Sequence, residues 1–156
     1  MTNDERYIEL AIEEAQKAPW PFGAVIVIAG EIVAQAGAGD GENNSVDPTA
    51  HAEVNAIRFA CKKLGAHDLL GRDAAMYASC EPCLMCMGAI WYAGIRKVVY
   101  GSTIAEEEQF FTWGEGDISL PQDTLSVLMQ NKLEVINGVM KDAVMDMYKQ
   151  HSAHKV

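Results

Sequence analysis

The 156-residue sequence predicts an α/β domain of three layers, α/β/α, built on a five-stranded mixed sheet. Three observations predict it. Segments with helical spacing alternate with short β-branched runs along the chain. The first two runs, residues 23–29 and 32–36, are separated by little more than Gly30, as in a hairpin. The later runs are spaced by stretches that read as crossover helices, which implies parallel pairing. A hairpin joined to parallel strands makes the sheet mixed, and helices must then cover both of its faces.

Each element has a local reason. Residues 2–17 predict a helix: Thr2 and Glu5 match a capping box, Tyr7, Leu10, Ala11 and Ala15 recur at helical spacing, and Pro19 follows the end. Residues 37–46 (GAGDGENNSV) are polar, rich in turn formers and without periodicity, so they predict a loop. Asp47 and Pro48 predict the start of a second helix, an acceptor at the cap and a proline at the first position. Val54, Ile57, Cys61 and Leu64 mark its expected buried face, and Lys62, Lys63 and Gly65 suit its end. Residues 74–79 predict the third strand. Glu81 and Pro82 open a third helix that runs to about Ala93 and stops at Gly94. Residues 97–100 and 133–136 predict the last strands, and 122–131 and 140–149 the last helices, with 151–156 as a tail. No repeat or linker divides the chain, so a single domain over 1–156 is expected.

Composition restricts function. Twelve Lys and Arg against 22 Asp and Glu give a net charge of −10, which argues against a broad nucleic-acid-binding face. No apolar run reaches the ~18–20 residues of a membrane span. The opening MTNDERYIEL lacks the basic-then-apolar order of a signal peptide, so a cytoplasmic location is expected. Of four cysteines, Cys80, Cys83 and Cys86 lie within seven residues, which in such a chain points to metal or redox chemistry.

Zinc in a catalytic site takes three protein ligands and leaves one position open. His51, Cys83 and Cys86 supply three, with no evident fourth. Residues three apart share a helix face, and helix N-termini favour thiolates, so two helix starts can aim these side chains at one ion. Glu53, two residues from His51, can reach a neighbouring water and move its proton. The competing readings are a structural zinc site, buried core cysteines, or an iron–sulfur segment, which would lack its fourth cysteine. Cys61 and Cys80 read as core residues, and Glu81 as a helix-start acceptor.

The segments His51-Ala52-Glu53 and Pro82-Cys83-Leu84-Met85-Cys86 match the signature H-x-E…P-C-x-x-C. The chain thereby resembles the cytidine/deoxycytidylate deaminase superfamily. It is most similar there to the branch of bacterial guanine deaminases, fungal-type cytosine deaminases and tRNA adenosine deaminases. Pro21 to Val27, Asp47 to Glu53 with Ala56-Ile57-Arg58, and Ser79 to Gly88 carry the resemblance to guanine deaminase. It implies a cytidine deaminase-like fold, one zinc per chain on His51, Cys83 and Cys86, Glu53 as proton shuttle, and a homodimer. The implied reaction replaces an exocyclic amino group of a nucleobase-like ring with oxygen and releases ammonia. Members place an asparagine 11 residues before the zinc-binding histidine to read the base edge, where this chain has Asp40. Either Asp40 takes that role, accepting where asparagine would also donate, or Asn43 or Asn44 does.

Phe22, Ala52, Ser79, Trp91 and Trp113 complete the expected substrate site. Phe110, Phe111 and Trp113, near Gly114 and Gly116, suit either a lid over a flat ring or a subunit interface. Glu106 to Glu108 read as a solvated face. A guanine-type purine is the expected substrate. The alternatives are a cytosine-type pyrimidine, adenosine in tRNA (disfavoured by the acidic charge) and a zinc fold without enzymatic activity, for which Glu53 would have no use.

Overall fold

A computed structural model describes residues 1–40 and 46–153. The elements, in order, are α1 (Asn3–Lys17), β1 (Trp20–Ile28), β2 (Glu31–Ala38), α2 (Ala52–Leu64), β3 (Ala74–Cys80), α3 (Leu84–Tyr92), β4 (Lys97–Ser102), α4 (Ile104–Glu107), α5 (Gln122–Leu128), β5 (Glu134–Ile136) and α6 (Lys141–Ala153). The five-stranded sheet has the order β2-β1-β3-β4-β5. β1 runs antiparallel to β2 and β3, while β3, β4 and β5 are parallel. This is the expected mixed sheet. One apolar cluster lies between it and α2, α3 and α5; a second packs α1 and α6 on the opposite face. Among the described residues no helix is long and apolar enough to cross a membrane.

Local chemistry accounts for the element ends. Thr2 Oγ1 accepts from the Glu5 N–H, and Glu5 Oε2 from the Thr2 N–H at 2.6 Å, so the predicted capping box starts α1. Gly23 lets α1 settle on β1: a Cβ there would lie 2.0 Å from the Ala11 carbonyl oxygen. Gly65, in the left-handed region at φ 59°, ends α2.

Five expectations need correction, the first being that α3 begins at Leu84 behind the N-cap Cys83 rather than at Glu81 and Pro82. α2 begins at Ala52, not Pro48, because Asp47 Oδ1 accepts from both the N–H and the hydroxyl of Thr49 and closes a turn instead. Its buried stripe is Ala52, Asn55, Ala56 and Ala60; Val54, Ile57 and Cys61 are half-buried and Leu64 is exposed. Small residues face the sheet there because the helix lies close to it. Within 106–108, Glu107 is only 2% exposed, on the short helix α4 that Thr103 and Glu106 cap. At the C-terminus α6 continues through Ala153, with His151 edge-on to Phe111 at 5.7 Å.

The register shift in β1 shapes the site. Trp20 pairs with Ala38 but Gly23 pairs with Gly37, so two extra residues, Pro21 and Phe22, bulge from the ladder. A proline, with no N–H to donate, belongs at such a bulge. This end of β1 lies beside Ser79 and Cys80, at the carboxyl end of β3. In open α/β sheets, ligands bind at the carboxyl ends of the parallel strands.

Candidate metal and substrate site

His51 is the N-cap residue of α2 and Cys83 that of α3; Cys86 follows within the first turn of α3. Both helix starts are held from outside. Asn55 Nδ2 donates to the carbonyls of Gly37 and Ala50, tying the loop before His51 to β2. Arg58 bridges Asp47 and Thr49. On the other side the Leu84 N–H donates to the Ile118 carbonyl at 2.8 Å.

The result is a compact donor set. Cys83 Sγ and Cys86 Sγ lie 3.7 and 3.5 Å from His51 Nδ1, and all three ligand atoms fall within 4.8 Å of one another. Bonds of ~2.0–2.3 Å to a tetrahedral ion space ligand atoms roughly 3.4–3.8 Å apart. The set therefore fits zinc, and among the described residues it is the one group that could hold a metal. As bare side chains these groups already share protons unequally. Hydrogen bonding from Cys86, then the neighbouring His51, draws the Cys83 thiol down to about 4. Hydrogen bonding to Cys83 raises His51 to about 9, and the same Cys83 pushes Cys86 strongly up. One thiolate at a helix N-terminus is thus favoured before any cation arrives.

Glu53 is buried against this set, its Oε2 accepting from Cys86 Sγ at 3.5 Å. Burial pushes its carboxyl up to about 7, against the pull of His51. A carboxyl so placed exchanges protons near neutral pH.

These groups form the floor of a cavity of about 500 Å³. Its walls are aromatic: Trp20, Phe22 and Trp113, with the last two 6.2 Å apart and Trp20 edge-on to Trp113 at 5.2 Å. Asp47, Glu81 and Asp117 supply carboxylates, and among the described lining residues there is no Lys or Arg. Asp117 is raised by burial and then by the negative charge of Cys83, so it lies within electrostatic reach of the ligands.

Of the residues the sequence singled out, His51, Ala52, Glu53, Cys83, Phe22, Ser79 and Trp113 all line this cavity, and Cys86 lies beneath it. Ser79 Oγ is committed to the Gly23 N–H at 3.1 Å, where it holds the bulged end of β1. Besides Cys86, two further residues do not line it. Trp91 packs against the core of the α2–α3 face with Arg96 stacked 3.9 Å over its ring. Asp40 turns back into its own loop, where Oδ2 accepts from the Gly37 N–H at 2.5 Å. That bond turns one carboxylate oxygen toward β2, and Asp40 is not among the residues that line the cavity. Asn43 and Asn44 lie outside the described residues. Glu81 does accept at a helix start, but that of α4: Oε2 takes the Ile104 N–H, and Oε1 takes the Ser119 hydroxyl at 2.6 Å. Cys80 is buried and Cys61 half-buried, both free thiols outside the ligand set. Trp20 and Asp117 are not singled out by the sequence, and Glu107, expected on a solvated face, is buried beside the site. Pro21, which follows Trp20, is the sequence feature that marks the bulge there.

Comparisons with known proteins agree with this geometry. The family profile described as the cytidine and deoxycytidylate deaminase zinc-binding region matches residues 1–102. A guanine deaminase of Bacillus subtilis is 55% identical over 85 residues, covering 53% of this chain and 50% of that protein. A tRNA-specific adenosine deaminase of Agrobacterium fabrum is 42% identical over 106 residues, covering 65% of this chain and 67% of its own. The matched stretch thus spans about half to two thirds of these relatives. Among solved structures, a variant of NE0047 in complex with 8-azaguanine superposes with a TM-score of 0.81 at 25% identity, covering 96% of this chain and 86% of that one.

Proposed function

Since the chain belongs to the cytidine and deoxycytidylate deaminase zinc-binding family, we propose that its residues 1–156 form one hydrolytic deaminase domain acting on a free, guanine-type purine. The observation that carries this reading is the buried Glu53 beside the His51, Cys83 and Cys86 donor set, at the floor of an aromatic cavity. The chemistry zinc supplies when bound there is Lewis acidity, which makes water nucleophilic near neutral pH.

The chain's own residues do the rest. Glu53 takes a proton from the attacking water and returns it to the departing amino nitrogen. The new ring carbon–oxygen bond replaces the carbon–nitrogen bond, ammonia leaves, and Glu53 ends in its starting state. Trp20, Phe22 and Trp113 bind the flat ring by its faces and exclude water from its edge. Asp117 accepts from ring N–H or amino donors, of which guanine presents several.

Charge supports a free base over a nucleotide or an RNA loop. A phosphate needs basic partners, and the described cavity lining offers carboxylates instead. The net charge of −10 acts the same way at longer range. The similarity to tRNA-specific adenosine deaminases is the observation on the other side. The decisive experiment measures ammonia release by the zinc-loaded chain from guanine, cytosine, adenosine, cytidine, amino-triazines and tRNA. Guanine is expected to give the highest kcat/KM; release from cytosine alone, or only from adenosine in tRNA, overturns the reading.

We further propose a homodimer formed through α2 and α3. These packed helices expose Phe59, Leu84, Met85 and Tyr92, the last 87% exposed. A contiguous apolar patch across the two helices would mark an interface. Light scattering is expected to give twice the 17.0 kDa chain mass; a particle of 17.0 kDa at micromolar concentration contradicts it.

A further inference from the structure

Among the described residues only two carboxylates are buried, Glu53 and Glu107. The proposed chemistry uses Glu53 and leaves Glu107 without a role. Burying a carboxylate is unfavourable unless strong donors compensate it, and an apolar side chain would fill the same space without that cost. The donor at Glu107 is specific: Oε1 accepts the Trp113 Nε1–H at 2.6 Å. Its main-chain carbonyl accepts the N–H groups of Phe110 and Phe111 at 2.9 and 3.3 Å. One residue therefore fastens both the start of the 107–113 turn and the indole at its end. That indole is stacked on Phe111 at 5.3 Å and faces the cavity between Trp20 and Phe22.

We infer that Glu107 is a positioning residue for substrate: by gripping the indole N–H it fixes Trp113 as a wall against which the planar ring stacks. Glu107 does not itself line the cavity, and its hydrogen bond to the site runs through the Trp113 indole. The inference rests on the reading of the cavity as the base-binding site. Its signature is a change in binding with the chemical step intact.

The test uses Glu107→Leu, Glu107→Gln, Trp113→Phe and the double variant, zinc-loaded, with the best base of the panel. Glu107→Leu is expected to raise KM about 5- to 10-fold, within the range for a lost buried hydrogen bond, with kcat nearly unchanged. Glu107→Gln keeps a carbonyl oxygen for the indole and is expected to restore most of that loss. Trp113→Phe keeps a ring but no N–H and should raise KM similarly, and adding Glu107→Leu to it should change KM no further. A fall in kcat at constant KM, or a further rise of KM in the double variant, overturns the inference. If Glu107→Leu does not fold, a Trp113→Phe protein with wild-type KM overturns it. A substrate-free measurement separates this from the proposed function. The Trp113 indole N–H resonance, identified by its loss in Trp113→Phe, should move upfield and exchange faster in Glu107→Leu. If no base releases ammonia yet that resonance moves, the function has failed and the grip on Trp113 stands; if it stays, the grip has failed.

Discussion

Glu53→Gln is expected to keep its zinc and its fold and to lose kcat by about 10²–10⁴-fold. The two side chains have the same shape, so the amide fits in the place Glu53 takes beside Cys86. The three ligand atoms are untouched. Replacing a buried carboxyl by an amide also removes a group whose charged form is disfavoured there, so no loss of stability is expected. What the amide cannot do is take a proton and give it back. One carboxylate serves both the attack and the departure of ammonia, so both steps fail together. Metal analysis and turnover on the best base check this: one zinc per chain with a rate above a tenth of wild type would remove Glu53 from the mechanism.

That pair of outcomes concerns residues that could be read from the sequence, and the reason is local. His51, Glu53, Cys83 and Cys86 sit within a few residues of two helix starts, so their geometry is set almost entirely by short stretches of chain. The sheet was legible for a similar reason: each strand's apolar run and each turn signal acts over a handful of residues, and parallel pairing follows from the crossovers between them. What was illegible depends on partners distant in sequence or on competition between equal local choices. Asp47 followed by proline has the chemistry of a helix cap, yet Thr49 offers its carboxylate two donors, and the helix starts four residues later. Asp40 occupies the counted loop position, but its orientation follows from the Gly37 N–H. Glu107 stands in a run of three glutamates, and only the fold brings the Trp113 indole to it. The cavity's aromatic wall joins Trp20 and Phe22 of one bulged strand to Trp113, about ninety residues on, a conjunction no window of sequence contains.

Cys86→Ala is expected to lose metal and activity together. Structural zinc in zinc-finger peptides is worth roughly 10–16 kcal/mol over its ligands, and on that scale losing one of three ligands should weaken binding by at least ~10²-fold. The two that remain, His51 and Cys83, cannot enclose an ion by themselves. Cys86 is the fully buried member, with no exposure, so water reaches its position less readily than an exposed ligand's. Cys83→Ala should show the same loss, since both thiols lie within 3.7 Å of His51 Nδ1. Because binding to the folded state stabilises it by mass action, wild-type protein should also melt at lower temperature after chelation, by an amount corresponding to about 2.7 kcal/mol at 100 times Kd. The Cys86→Ala protein, having no tight site, should melt at the same temperature with and without chelator. Cys61→Ala is the control: its thiol points to the His67 carbonyl, outside the ligand set, and metal content and rate should match wild type. Metal analysis of the purified proteins decides it. Stoichiometric zinc in Cys86→Ala would show that the ion is held elsewhere, and iron with visible absorption in the wild type would replace zinc by a cluster.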